Sequence, residues 1–120
     1  MRTELAALLA MASCTACAVH DPRPTLQEIS LCEPPADEPA RPDWCQWPRD
    51  VRIFANRYDA CQHFLGEEAY DDERRRFLEN SIGETCTGND KQLRKLRSAY
   101  AGDTVMTQVL GEFDFITGTE

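Results

Sequence analysis

The sequence predicts an all-α fold: a small three- to four-helix domain stapled by disulfides and preceded by a Pro-rich extended tether. Three observations predict it. From Val51 onward apolar residues recur at spacings of three and four, the period of one helix face. All seven prolines (Pro22, Pro24, Pro34, Pro35, Pro39, Pro42 and Pro48) stand between residues 22 and 48. An N-terminal apolar stretch carries Cys14 and Cys17, and four cysteines follow it: Cys32, Cys45, Cys61 and Cys86. An even set in a short exported chain reads as two disulfides formed in an oxidising compartment.

Residues 1–18 read as an export signal. Residues 5–12 (LAALLAMA) are an uncharged apolar run, with Arg2 as the cationic start and Glu4 working against it. A membrane-spanning helix needs about 20 such residues, and no later stretch approaches that. Two cleavage readings compete. Ala16-Cys17-Ala18 has small residues at the right places and would release a soluble chain starting at Val19. Met11-Ala12-Ser13-Cys14 resembles a bacterial lipobox, in which Cys14 is lipidated and becomes the new N-terminus. The plain alternative to both is a buried cytosolic helix.

Residues 19–47 form the tether. Proline lacks an amide donor and biases its predecessor toward extended backbone, so no regular helix runs through this stretch. Within it, residues 26–31 (LQEISL) are the single candidate helical turn. Cys32, Cys45, Trp44 and Trp47 suggest that its second half folds back on the domain.

The helical domain spans residues 48–120. Val51, Phe54, Tyr58, Cys61 and Leu65 make one stripe on a first helix, with Pro48 and Asp50 suited to its start and Gly66 to its end. A second helix runs over residues 72–86. Asp71 or Asp72 caps it, and Phe77, Leu78, Ser81, Ile82, Thr85 and Cys86 face inward. Gly83 weakens its interior by about 1 kcal/mol relative to Ala. Asn89 and Gln92 resemble a capping box opening a third helix, residues 90–101, with Leu93, Leu96 and Tyr100 inward. Gly102-Asp103 turns the chain into a short fourth helix with Val105, Met106, Val109 and Leu110 inward. Phe113, Phe115 and Ile116 form an apolar tail.

Cys61 and Cys86 each lie on an apolar stripe, and sequential pairing joins them to each other and Cys32 to Cys45. Four cysteines nevertheless allow three connectivities. The Cys61–Cys86 loop is worth about 3–4 kcal/mol in the chain-entropy estimate, and the Cys32–Cys45 loop about 3 kcal/mol. Because both helix ends carry a cysteine, the two helices must cross or the 67–71 connection must return the chain. No metal or cofactor is expected: Cys61 and His63 are two apart, on nearly opposite sides of a helix, and Cys14-x2-Cys17 lies in the signal.

His63 is the one histidine of the domain. As a general base it would be oriented by Glu67 or Glu68. The plainer reading is a cation in the last helical turn meeting the negative end of the helix dipole. No G-x-S-x-G, H-E-x-x-H or phosphate-binding glycine loop occurs, so no catalytic residue is assigned. Arg74-Arg75-Arg76 and Lys91, Arg94, Lys95 and Arg97 are basic clusters. The chain carries 21 acidic against 13 basic residues, net charge −8, which disfavours nucleic acid. Glu67, Glu68, Asp71, Asp72 and Glu73 stand beside the arginines to partner or solvate them.

The runs Cys61-Gln62-His63-Phe64-Leu65-Gly66-Glu67-Glu68, Glu73-Arg74-Arg75-Arg76-Phe77-Leu78 and Glu84-Thr85-Cys86, followed by Leu93, Leu96 and Tyr100-Ala101, carry a resemblance. Over residues 47–111 the chain resembles a family of small uncharacterised proteobacterial exported proteins with a C-x-H-F-x-G-E stretch, an E-R-R block and a second cysteine about 25 residues on. The resemblance implies no activity, and it leaves out the Cys32 and Cys45 segment. Small helical lipoproteins that inhibit lysozyme look similar in size and compartment only. The expectation is therefore a non-enzymatic cell-envelope protein in the periplasm or lipid-anchored at the outer membrane of a Gram-negative bacterium. It would be a protein-binding or inhibitor-like helical module with an envelope protein as partner, touching the membrane only through the anchor at Cys14. The alternative is a small periplasmic enzyme using His63 with Glu67 or Glu68. Oligomeric state is not readable from the sequence.

Overall fold

The computed structural model describes residues 23–36 and 41–116. Residues 1–22, which include the expected export signal with Cys14, and residues 37–40 and 117–120 lie outside the described residues. Every regular element among those described is helical. In order they are α1 (Leu26–Ser30), a 3₁₀ turn (Trp44–Gln46), α2 (Arg49–Leu65), α3 (Asp72–Cys86), α4 (Asn89–Ala99) and α5 (Thr104–Gly111). Residues 26–30 of the tether are helical as the sequence suggests, and the 3₁₀ turn at 44–46 is a second helical turn in that stretch. The start of α1 is fixed locally. Thr25 accepts from the Glu28 amide at 3.2 Å while Glu28 accepts from the Thr25 amide at 2.7 Å, a reciprocal capping box.

The core lies between α2, α4, α5 and the 3₁₀ turn. It joins Trp44 and Trp47 to Val51, Phe54 and Ala55 of α2, to Leu93, Leu96 and Tyr100, and to Met106, Leu110 and Phe113. Residues 44–47, the last of the Pro-rich stretch, thus fold onto the domain. Asp43 makes this possible with a left-handed backbone (φ 60°, ψ 18°), a conformation Asp tolerates better than most residues. The two indoles meet at 5.3 Å between ring centroids. Each buried aromatic of this size takes about 150–250 Å² out of water, about 4–6 kcal/mol at 25 cal/mol/Å². That gain outweighs the extended bias of the neighbouring prolines.

α3 packs on α2 at the edge of this core, burying Leu78, Ser81 and Cys86. Asp71 caps it by accepting from the Arg74 amide at 2.7 Å. At its far end Arg57 of α2 donates to the carbonyls of Glu84 (3.1 Å) and Thr87 (2.5 Å). The Cys61–Cys86 disulfide stands beside these bonds, with Cα atoms 5.0 Å apart. α3 thus runs back along the second half of α2, its start beside Phe64 and Glu67 and its end beside Arg57 and Cys61, so the 67–71 connection returns the chain.

Three readings of the pattern are corrected here. Leu65, Phe77 and Val105 are exposed rather than inward. α4 starts at Asn89, with Gly88 at the cap in the left-handed region (φ 80°), where an L side chain is strained. Asn89 is therefore not a capping-box residue: its amide donates back to the Thr85 carbonyl at 2.9 Å, closing the end of α3. Gly83, by contrast, has open space around an added Cβ. Gly83→Ala should raise stability by about 0.5–1 kcal/mol, read as a shifted urea midpoint at unchanged slope.

Tyr100 ties α4 to α2, donating its hydroxyl to Asp50 Oδ1 at 2.8 Å. Burial, then that carboxylate, push the phenol above its ordinary value. The folded state therefore holds the Tyr100 proton where the unfolded chain has released it. The resulting stability is complete below about pH 10 and is lost as pH rises beyond it. Urea melts between pH 9 and 11 should show this fall, and Tyr100→Phe should flatten it.

Candidate functional site

The end of α2 and the start of α3 bring the sequence-predicted residues together. Gly66 ends α2, its amide donating to the carbonyls of Gln62 (3.1 Å) and His63 (3.2 Å). Its backbone is right-handed, so the helix stops without the left-handed geometry that glycine alone favours. The chain then crosses to Asp71, and capping by Asp71 sets Arg74 on the first turn of α3, facing back toward α2.

Glu67 is the centre of the group. Its Oε1 lies 3.0 Å from His63 Nε2, and its Oε2 accepts from Arg74. The hydrogen bond from Arg74 holds the Glu67 carboxyl below its ordinary value, with the His63 imidazole adding to the effect. Reciprocally, Glu67 raises the Arg74 guanidinium. The sequence left Glu67 and Glu68 as equal partners for His63, and the structure brings Glu67 to it. The His63 side chain is itself 68% exposed. Its ring meets Phe64 edge-on at 5.4 Å.

On the other side of Arg74 lie the aromatics. Its guanidinium sits 4.7 Å over the Phe77 ring, and Phe77 meets Phe64 edge-on at 5.9 Å. An open depression of about 280 Å³ is lined by Tyr70, Asp71, Glu73, Arg74 and Phe77. Tyr70 is 83% exposed and Phe77 47%. The imidazole does not line this depression; histidine and cavity are linked through the Glu67–Arg74 pair and through the Phe64 and Phe77 rings.

The second basic cluster divides. Lys91 and Lys95 are exposed, whereas Arg97 turns inward. It donates to the carbonyls of Leu110 (3.1 Å) and Phe113 (2.6 Å), fixing the tail that follows α5. Arg94 and Arg97 both stack on Phe115, at 5.5 and 5.1 Å. Two of the four cations thus hold protein rather than face outward as a phosphate-binding row. Asp72 pairs with Arg75 as the charge pattern suggested.

Arg41 is a residue that sequence reasoning missed. It pairs with Asp59 at 2.5 Å and lies 4.6 Å over Phe113. A second groove, about 330 Å³, opens between tether and helix. Glu33 and Pro35 form one wall, with Trp44, Arg49, Arg52 and Ile53 on the other. Cys32 and Cys45 are joined at the base of this segment, Cα atoms 5.6 Å apart. Among the described residues no cluster of three or more His, Cys, Asp or Glu is placed to hold a metal ion. Nor is any helix there long and apolar enough to cross a membrane. Two disulfides are compatible with a protein exported from the cytosol. No protein-family model, curated protein or solved structure matches the chain.

Proposed function

We propose that the chain is a non-enzymatic helical module of the cell envelope that works by binding another envelope protein. The observation that carries this reading is the exposed aromatic and cationic surface where α2 meets α3. Tyr70 and Phe77 stand in solvent, and Arg74 is held in place over Phe77 by Glu67. Tyr and Arg side chains held in one orientation are what dominate binding energy at protein interfaces. The net charge of −8 favours a protein over nucleic acid as the partner. Residues 1–18 would direct export, either through lipidation of Cys14 or through cleavage after Ala18. The module would then sit in the periplasm or at the outer membrane, displayed on its tether. An inhibitor of an envelope hydrolase is one form of such a binder.

Photo-cross-linking in the native host tests the proposal, with a photoreactive aromatic at position 70. A single dominant adduct that disappears in Phe77→Ala or Arg74→Ala is the expected result. No specific adduct, or one indifferent to both substitutions, argues against the surface. The inhibitor form predicts loss of lysozyme activity on adding purified protein, and undiminished activity removes it. Intact mass from the native host, with and without reductant, reports cleavage site, lipidation and disulfide number together.

The 3.0 Å contact between His63 and Glu67 favours a second reading, a small periplasmic enzyme using this pair. It predicts that His63→Ala folds but loses the native phenotype while Tyr70→Ala and Phe77→Ala keep it. The binding reading predicts the reverse. It allows His63→Ala a stability cost of about 0.3–1 kcal/mol from the helix dipole.

A further inference from the structure

The two disulfides stand in different surroundings. Cys61 and Cys86 are fully buried, at 0% and 1% exposure. Cys32 and Cys45 are half-buried at the edge of the core, with solvent on one side. Beside Cys32 lies a guanidinium: Arg52 Nη1 is 3.5 Å from Cys32 Sγ, and no carboxylate pairs with Arg52 among the described residues. The buried Arg52 Nε has no hydrogen-bond partner there either. A cation in contact with one sulfur of a disulfide stabilises the thiolate that this sulfur becomes when the bond breaks. The lower-pKa thiol is also the faster leaving group.

We infer that Cys32–Cys45 is a site of thiol–disulfide exchange, attacked at Cys45 by a dithiol reductant, with Cys32 as the leaving thiolate held by Arg52. The attacking thiolate bonds to Cys45 Sγ as the disulfide breaks, and the bonding pair departs on Cys32 Sγ. The second thiol of the reductant, as thiolate, then displaces Cys45 Sγ from the mixed disulfide. Two electrons and two protons pass from dithiol to protein: the reductant becomes a disulfide and Cys32 and Cys45 become thiols. The structural result is local. Glu33 and Pro35, one wall of the groove over Arg49 and Arg52, are anchored to the 3₁₀ turn through this bond, and reduction frees that wall. Cys61–Cys86 stays closed, so the helical domain remains stapled.

The test uses the purified full chain with dithiothreitol as the probe at neutral pH. Samples are quenched with iodoacetamide over time and mapped by peptide mass. Cys32 and Cys45 should be alkylated at least about ten-fold faster than Cys61 and Cys86. Arg52→Gln should slow the first pair several-fold without changing the second, and Arg52→Lys should restore most of the rate. With glutathione, a monothiol, the mixed disulfide of the unsubstituted chain should sit on Cys45. Equal reduction of both disulfides, or faster reduction of the buried one, overturns the inference. So does an Arg52→Gln chain that keeps its circular dichroism and reacts as fast as the unsubstituted one. An adduct found mainly on Cys32 also overturns it, and that result needs no variant to fold.

Discussion

Replacing Cys61 and Cys86 together with Ala is expected to lower stability by about 3–4 kcal/mol. The two residues are 25 apart in sequence, and the bond removes that loop's freedom from the unfolded chain. Against a total of about 5 kcal/mol for a domain of this size, the loss is most of what there is. The structure adds where it will appear. α3 contributes none of the residues of the main core, so without the bond it is held chiefly by Arg57 on its last carbonyls, by Arg74 on Glu67 and by Leu78. Hydrogen exchange should therefore show α3 losing protection before α2 and α4. Urea melts give the size of the loss. A double variant within about 1 kcal/mol of the parent would show that packing, not the covalent link, holds α3. Sequence alone suggests that Cys32–Cys45 holds only the tether, making its loss the milder. In the structure both of these cysteines pack against the core beside the two tryptophans, which narrows the expected difference.

Phe113→Ala should cost about 3–5 kcal/mol, the range for emptying a buried aromatic site. Phe113 is 1% exposed although it lies after the last helix. Its ring meets Phe54 at 5.2 Å and Tyr58 at 5.0 Å, both edge-on, with Arg41 over it. Its carbonyl accepts from Arg97. The cavity would thus open at the meeting point of α2, the tail and residue 41. Near-UV circular dichroism and a thermal melt check the outcome. Phe115→Ala is the control: that ring is 46% exposed and lies on arginines, so its loss should stay below about 1 kcal/mol. Equal effects for the two would mean that the tail does not seal the core.

The helices were legible because their signals are local. The stripe from Val51 to Cys61, the Asp71 cap, the Asp103 side chain that accepts from the Met106 amide at 3.0 Å to cap α5, and the Leu93, Leu96, Tyr100 spacing are all local signals. Periodicity failed at the outer turns. Leu65, Phe77 and Val105 continue the pattern in sequence but stay exposed, and Phe77 meets α2 only at the rim, through the Phe64 ring. Asn89 misled because a residue fit to cap the next helix instead closed the previous one, once Gly88 had supplied the turn. At the candidate site, composition supplied His63, the two glutamates and the arginines. Choosing Glu67 required knowing that Asp71 starts α3 and so aims Arg74 at it. Arg41 and Arg97 could not be read at all. Their partners, Asp59, Phe113 and the tail carbonyls, are distant in sequence, and an arginine that stacks on an aromatic looks no different from one in solvent.

The order of core segments along the chain has a kinetic consequence. Val51, Phe54 and Ala55 precede α3, and Leu93, Leu96 and Tyr100 follow it, so the central contacts are made by chain on either side of an intervening helix. Such non-local closure slows folding relative to contacts between successive helices. Once Cys61 has bonded to Cys86, the route from α2 to α4 no longer runs through α3. It passes across the sulfur bridge and reaches Asn89 within three residues. A chain oxidised at this position before it collapses begins with its two halves already side by side. A reduced chain has to find that arrangement by diffusion, so early oxidation at Cys61 and Cys86 should shorten the search that precedes core assembly.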